Sequence, residues 1–310
     1  MNPHAFIDHY TVALGGLVAG RRKFFSQSVD SPDVATLLEA TSLELPTIAG
    51  EGVYEVPAES PVGPLDPAFY VAQWLGPEQP TLIYHHGNNE RPFDFGPFSK
   101  NTFKKIILDQ RESFHANLIV LRAPFHRSLR TYMERMMELR NFTAMLAVSV
   151  KLVEELVQWT REQQSQGQSS VAGNKTRVLL TGPSLGGWVT NLHRAYLNSA
   201  DFYAPIMAGA ALGEVFLTSA YRRLTGGAAR ENPAAVRRAL NFEEAFTAAS
   251  GNNVAALLMR YDAIIVYERQ TQCYEPDQVV VHNRGHTTGV LDYAALRAFL
   301  LAQLKVLVES

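Results

Sequence analysis

Ser184 stands in Gly182-Pro183-Ser184-Leu185-Gly186, a serine with a glycine two positions to either side. A serine hydroxyl is a weak nucleophile at neutral pH. It needs a base within hydrogen-bond reach and a third group to orient that base. The flanking pattern supplies a setting for such chemistry. Val178, Leu179 and Leu180 form a short apolar run, as a strand buried on both faces would. Trp188, Val189, Leu192 and Ala195 then recur at helical spacing. A turn this tight from strand to helix forces Ser184 into a strained backbone and leaves room only for hydrogen at 182 and 186. Gly187 lets the helix pack closely. The hydroxyl is lifted clear of the sheet at the positive end of a helix, where the Leu185 N–H would face an oxyanion. Strand, G-x-S-x-G and helix in this order make a nucleophile elbow.

Three histidines follow Ser184: His193, His282 and His286. His193 falls within the elbow helix, on a side that points away from the turn. His282 lies inside the last apolar run. His286 opens a glycine-bearing loop, Asn283-Arg-Gly-His-Thr-Thr288. Earlier in the chain, His85 and His86 invite a metal reading. Adjacent strand residues face opposite sides and no third ligand follows at a plausible spacing, so one of them is expected to brace the following loop instead. Arg122, Phe125, His126 and Arg127 follow a strand's end, where ligands collect in open α/β sheets. They could meet a polar or anionic substrate; surface charge around a buried Phe is an equal reading. Trp188 is expected to pack the elbow helix. Met133, Met136 and Met137 are expected in the core or a cap contact.

The elbow, the segment Thr81-Leu-Ile-Tyr-His-His-Gly-Asn-Asn89 and the loop carrying His286 together resemble the α/β-hydrolase superfamily, in element order from about Tyr70 to the C-terminus. That resemblance implies an α/β fold: a mostly parallel central sheet with helices on both faces and a helical cap. It implies a triad in the order Ser, Asp or Glu, His. His286 matches the histidine position, and Gly285 would let its ring swing toward Ser184. Asp262, after the penultimate strand, would orient His286. Its other reading, compatible with the first, is a helix N-cap. Asp277 and Glu275 are fallbacks. The backbone N–H groups of Asn88 and Leu185 would form the oxyanion hole, with Asn89 as second choice; Gly87 would let the chain turn inward, and the Asn88 side chain could also donate. The implied activity is a serine hydrolase that cleaves a carboxylic ester or related acyl bond of a small-molecule substrate through an acyl-enzyme, with no cofactor and no metal. The alternatives are a non-catalytic binding protein on the same fold, or a membrane-surface lipase or acyltransferase.

The elements that must position these residues are legible as alternating strands and helices, which imply a parallel sheet covered on both faces. Strands are expected at Gly52–Val56, Tyr70–Leu75, Thr81 to His86, Ala116–Pro124, Phe202–Ala208, Val254–Tyr261 and Gln278–His282. Helices are expected over Asn2–Phe25, from Phe98 to Leu108, over Thr131–Gln163 as one or two pieces, and over Tyr293–Val308. Ser26–Leu65 reads as loop with short strands, and Gln163–Asn174 as a solvated loop. The whole, 1–310, reads as one domain with a helical and loop extension over 1–50 and a helical cap over 211–252. A formal net charge of −2 gives no footprint for nucleic acid. Cys273 is the only cysteine, so no intramolecular disulfide forms, which fits a reducing compartment. The apolar patch Val12–Ala19 precedes Arg21-Arg22-Lys23, the reverse of a secretory signal, and is too short to span a bilayer. The reading is a cytoplasmic protein whose N-terminal helix packs on the body, with contact to a membrane or a partner through that helix as the alternative. Oligomeric state is left open.

Overall fold

A computed structural model describes residues 2–97, 99–167 and 177–309. The central sheet has eight strands: β1 (Gly52–Glu55), β2 (Ala68–Gln73), β3 (Thr81–His85), β4 (Asn117–Arg122), β5 (Val178–Pro183), β6 (Phe202–Ile206), β7 (Ala256–Met259) and β8 (Val279–His282). Their spatial order is β8-β7-β6-β5-β3-β4-β2-β1. The strands from β3 to β8 pair in parallel, while β1 and β2 run antiparallel at one edge. Every residue of β3, β4, β5 and β7 is buried, which is why these strands read as unbroken apolar runs rather than alternating ones.

Five helices matter for the site: α1 (Pro3–Ala19), α2 (Leu139–Gly167), α3 (Leu185–Tyr196), α4 (His286–Val290) and α5 (Tyr293–Glu309). The long periodic stretch is two helices, as its length suggested, because Leu129–Arg135 ends before α2 begins. Helix α2 continues through Gly167, into the loop expected over Gln163–Asn174; the rest of that loop, 168–174, lies outside the described residues. The helix expected from Phe98, itself outside the described residues, is only Thr102–Ile106, followed by a 3-10 segment Leu108–Ser113. The expected loop over Ser26–Leu65 contains a helix, Val34–Glu39, whose N-cap Asp33 accepts from the Thr36 amide at 2.8 Å. It also supplies the whole of a small separate sheet, Ser42–Leu43, Ala58–Ser60 and Gly63–Leu65. Short helices fill 212–248, where a cap is expected.

Helix α1 ends at Ala19, short of Phe25. Asp8 and Val12 are buried against the body, with Gly15 and Gly16 beside Leu224. Phe6, Tyr10, Leu14 and Leu17, the apolar residues whose helical spacing marks this helix in the sequence, face solvent.

Candidate active site

The chain from β5 into α3 has the expected form. Ser184 adopts φ 53°, ψ −109°, a strained conformation for a residue with a side chain. Its amide donates to the Ile206 carbonyl at 2.8 Å, and its carbonyl starts α3 by accepting from the Trp188 amide at 3.0 Å. A Cβ at Gly182 would lie 2.2 Å from the His85 carbonyl oxygen, and one at Gly186 would lie 2.0 Å from it. A Cβ at Gly187 would lie 2.7 Å from the Ile206 oxygen, so α3 sits hard against the sheet. Trp188 is buried and packs edge-on to Phe242, a structural role.

Asp262 and His286 come together. The loops after β7 and β8 are joined by backbone hydrogen bonds, Arg260 to His282 and Tyr261 to Arg284, each 2.9 Å. His286 Nδ1 donates to Asp262 Oδ2 at 2.8 Å. Asp262 Oδ1 accepts from the amides of Ile264 at 2.8 Å and Ile265 at 2.7 Å, so the carboxylate also caps the following turn. Burial works against a charged imidazole here, but the Asp262 carboxylate outweighs it, and the basicity of His286 is raised above that of an ordinary histidine. Neither Ser184 Oγ nor His286 Nε2 has a hydrogen-bond partner among the described residues. Ser184 and Asp262 follow the carboxyl ends of β5 and β7, and His286 follows that of β8, so all three lie at one edge of the sheet.

The fallback acids have other work. Glu275 caps the 3-10 turn Pro276–Gln278, and Asp277 lies in that turn. Among the histidines, His193 is fully buried with both ring nitrogens engaged.

Past β3 the chain forms a braced loop. Both His85 and His86 brace it, not one, and their rings stack at 4.9 Å because the strand ends at His85 and the alternation of faces ends with it. His86 Nδ1 donates to the Gly87 carbonyl at 2.6 Å while its Nε2 accepts from the Ala123 amide at 3.1 Å. Burial pushes its pKa well down, which keeps this neutral tautomer. Glu90, buried, accepts from the Gly87 amide at 3.1 Å and the Thr102 amide at 2.9 Å; burial pushes its pKa up to about 7. This carboxylate is the reason for Gly87: a Cβ there would lie 2.5 Å from Glu90 Oε1. The residue in the left-handed region is Asn89, at φ 61°. The Asn88 side chain is clamped, with Tyr132 donating to its Oδ1 and its Nδ2 donating to Tyr221 at 3.0 Å. The backbone amides of Asn88 and Leu185 donate to no protein acceptor among the described residues.

The basic residues after β4 do not wait for an anion. Arg122 forms a two-pronged pair with Glu55 at 3.1 and 2.6 Å, and Arg127 binds Glu55 and Asp66. His126 lines a small cavity with Glu90 and Tyr132, and burial pushes its pKa down to about 4.

Asp8 was invisible as a site residue. From α1, its Oδ2 accepts from the amides of His286 at 2.8 Å and Ala263 at 3.1 Å, and its Oδ1 accepts from Thr287 at 2.8 Å. One buried carboxylate thus ties together the two loops that carry Asp262 and His286. Gly285 serves this contact rather than ring mobility. Its φ is −93°, and a Cβ there would lie 2.8 Å from Asp8 Oδ2.

No family model and no curated protein matches the sequence. Solved structures do. Acetyl xylan esterase 1 from Thermoanaerobacterium sp. JW/SL YS485 superposes with a TM-score of 0.52 at 13% identity, covering 90% of this chain and 97% of its own. An acetyl xylan esterase from Paenibacillus sp. R4 gives 0.51 at 10% identity, covering 95% and 94%. The Pyrococcus horikoshii acylaminoacyl peptidase gives 0.54 at 13% identity, covering 84% of this chain and 41% of its own. Identities this low speak to architecture alone. Together with the strand order and the elbow they establish that the chain has the α/β-hydrolase fold.

Proposed function

We propose that this chain is a serine hydrolase that cleaves a carboxylic ester of a small molecule through an acyl-enzyme. Ser184 Oγ attacks the carbonyl carbon as His286 Nε2 takes its proton. His286 then returns the proton to the leaving alcohol, and water repeats the sequence in reverse to free the acid. Asp262 holds the imidazole in the tautomer with Nε2 open and stabilises the imidazolium. The amides of Asn88 and Leu185 bind the oxyanion, and the clamp of Tyr132 and Tyr221 on the Asn88 side chain fixes the loop that presents one of them. The helices between Leu212 and Ala248 act as a cap, since Tyr221 reaches Asn88 from that segment. The last link, from His286 to Ser184, forms when substrate enters; such bonds are often loose in free enzymes.

One observation carries the reading. The buried Asp262–His286 pair leaves Nε2 open at the same sheet edge where a strained serine offers an unpartnered hydroxyl. The similar structures, acetyl xylan esterases and an acylaminoacyl peptidase, are in keeping with an acyl substrate. A fluorophosphonate probe tests it. The protein should label at Ser184, with labelling lost in Ser184→Ala. Absence of labelling in the wild type would favour a non-catalytic binding protein. A chain-length series of activated esters then defines the acyl pocket.

A further inference from the structure

Helix α1 has two unlike faces. The inner one is tied to the body by Asp8, Val12 and the glycine pair at 15 and 16. The outer one exposes Phe6, Ile7, Tyr10, Leu14, Leu17 and Val18, the last two at 79% and 78%. At 3.6 residues per turn these six span about 120° of the helix, one continuous apolar band. Scattered exposed apolar residues need no account, but a contiguous band of this kind marks a contact surface.

Charge at one end of the band indicates what the contact is. Arg21, Arg22 and Lys23 follow α1 directly. The chain then runs beside the turn Ala220–Leu224, where the Phe24 amide donates to the Leu224 carbonyl at 2.9 Å. This brings Arg222 and Arg223, both exposed, next to the first three. Among the described residues, Arg21, Lys23, Arg222 and Arg223 have no carboxylate partner. Arg22 reaches Glu134 at 3.5 Å, but Arg130 already holds that carboxylate at 3.0 Å. An apolar band that ends in a basic cluster complements a layer with apolar interior and anionic surface. It does not complement itself. A second copy would have to set this cluster against its twin or against the start of α1, which has no acidic residue in its first turn. Among the described residues no helix is long and apolar enough to cross a membrane, so the contact is with a surface.

We propose that the outer face of α1, with the basic cluster at its C-terminal end, docks this protein on the surface of an anionic phospholipid bilayer. The inference does not depend on the hydrolase reading. It takes up the alternative that the sequence left open, membrane contact through the N-terminal helix, in place of packing on the body alone.

The test is co-sedimentation of the full chain with vesicles of phosphatidylcholine mixed with phosphatidylserine, against vesicles of phosphatidylcholine alone. The mixed vesicles should carry the protein down, and added salt should release it. Leu17→Glu with Val18→Glu should weaken partitioning by at least about tenfold. Replacing Arg21, Lys23, Arg222 and Arg223 by Ala should weaken it by about fivefold per residue removed. All of these positions are on the surface, and unchanged circular dichroism and melting of each variant would show that the fold is intact. Equal sedimentation with both vesicle types, no sedimentation, or indifference to either set of substitutions overturns the proposal. So does a dimer in sedimentation velocity that Leu17→Glu dissociates while vesicles bind nothing, since the band would then belong to a second copy.

Discussion

The molecule contains two histidine–carboxylate pairs of nearly the same length, each with one partner buried and the other part-buried. His193 Nε2 meets Glu154 Oε2 at 3.0 Å; His286 Nδ1 meets Asp262 Oδ2 at 2.8 Å. Their difference lies in the other ring nitrogen. His193 Nδ1 is paired with the Tyr203 hydroxyl at 3.1 Å, which itself accepts from the Ala200 amide at 3.1 Å. That ring has no capacity left. His286 keeps Nε2 open, at the sheet edge that also carries the strained Ser184. The two also titrate in opposite directions. Burial lowers the pKa of His193 despite Glu154, whereas for His286 the carboxylate wins and the pKa rises. A His–carboxylate contact is therefore not a signature of chemistry. What the proposed mechanism needs in addition is an unspent ring nitrogen, which only His286 of the two retains.

The largest effect should separate the pairs outright. His286→Ala or Ser184→Ala should lower kcat by at least about 10⁴-fold on any ester that the wild type turns over, since such groups act as a unit. His193→Ala should leave kcat within a few-fold and cost roughly 3 kcal/mol of stability, because it empties the space of a fully buried ring and takes one hydrogen-bond partner from each of Glu154 and Tyr203. Steady-state rates set beside urea unfolding would check both. A His193 variant that folds well but is inactive would erase the distinction.

An intermediate effect is expected at Asp8, the carboxylate near His286 that has no counterpart at His193. Asp8→Asn should reduce kcat by up to about 100-fold through misplacement of the His286 loop. A merely structural role would stop there. Asp8 also contributes to raising the His286 pKa, so removing its charge should lower that pKa. The base would then stay neutral to lower pH, and the acid limb of the kcat/KM profile should move down. An unmoved limb would make Asp8 a brace and nothing more.

These residues differ in how far the sequence reveals them. The elbow was legible because its constraint is local. The glycines at 182 and 186 are needed for backbone that meets within one turn, so their spacing carries the geometry. Asp262 and His286 were legible only through element order, as the acid and base that follow the last two strands. Gly87 and Gly285 were misread as sources of freedom. They are glycines because other atoms occupy the space of a Cβ: the Glu90 carboxylate in one case, and in the other the Asp8 carboxylate with the His4 backbone carbonyl, near the other end of the chain. Asp8 itself could not be read, since an acid in a helix with an apolar stripe looks like the solvent face. The one signal was that Asp8 shares its face with Val12, Gly15 and Gly16, and small residues let a helix approach its neighbour closely. That cue reverses which face of α1 is inner.

The smallest effect concerns the dependence of stability on pH, and it belongs to the silent pair. Burial tends to raise the pKa of Glu154, but hydrogen bonds from His193, Ser199 and Gln158 outweigh it and bring the carboxyl down to about 2, against an ordinary 4.5. A carboxyl depressed by folding adds stability that is complete above its unfolded value and is lost as pH falls through its folded value. The window is therefore roughly pH 4.5 to 2, and its full depth is about 3 kcal/mol. Glu154→Gln should flatten the stability curve across that window while leaving activity at neutral pH almost unchanged. No such slope is expected from the other pair, because burial outweighs the lowering by His286 and the Ile265 amide and holds the Asp262 carboxyl above its ordinary value. Urea midpoints measured at intervals down to pH 2 would separate the two carboxylates. A slope that persists in Glu154→Gln would assign the acid sensitivity elsewhere and leave the His193 pair with packing alone.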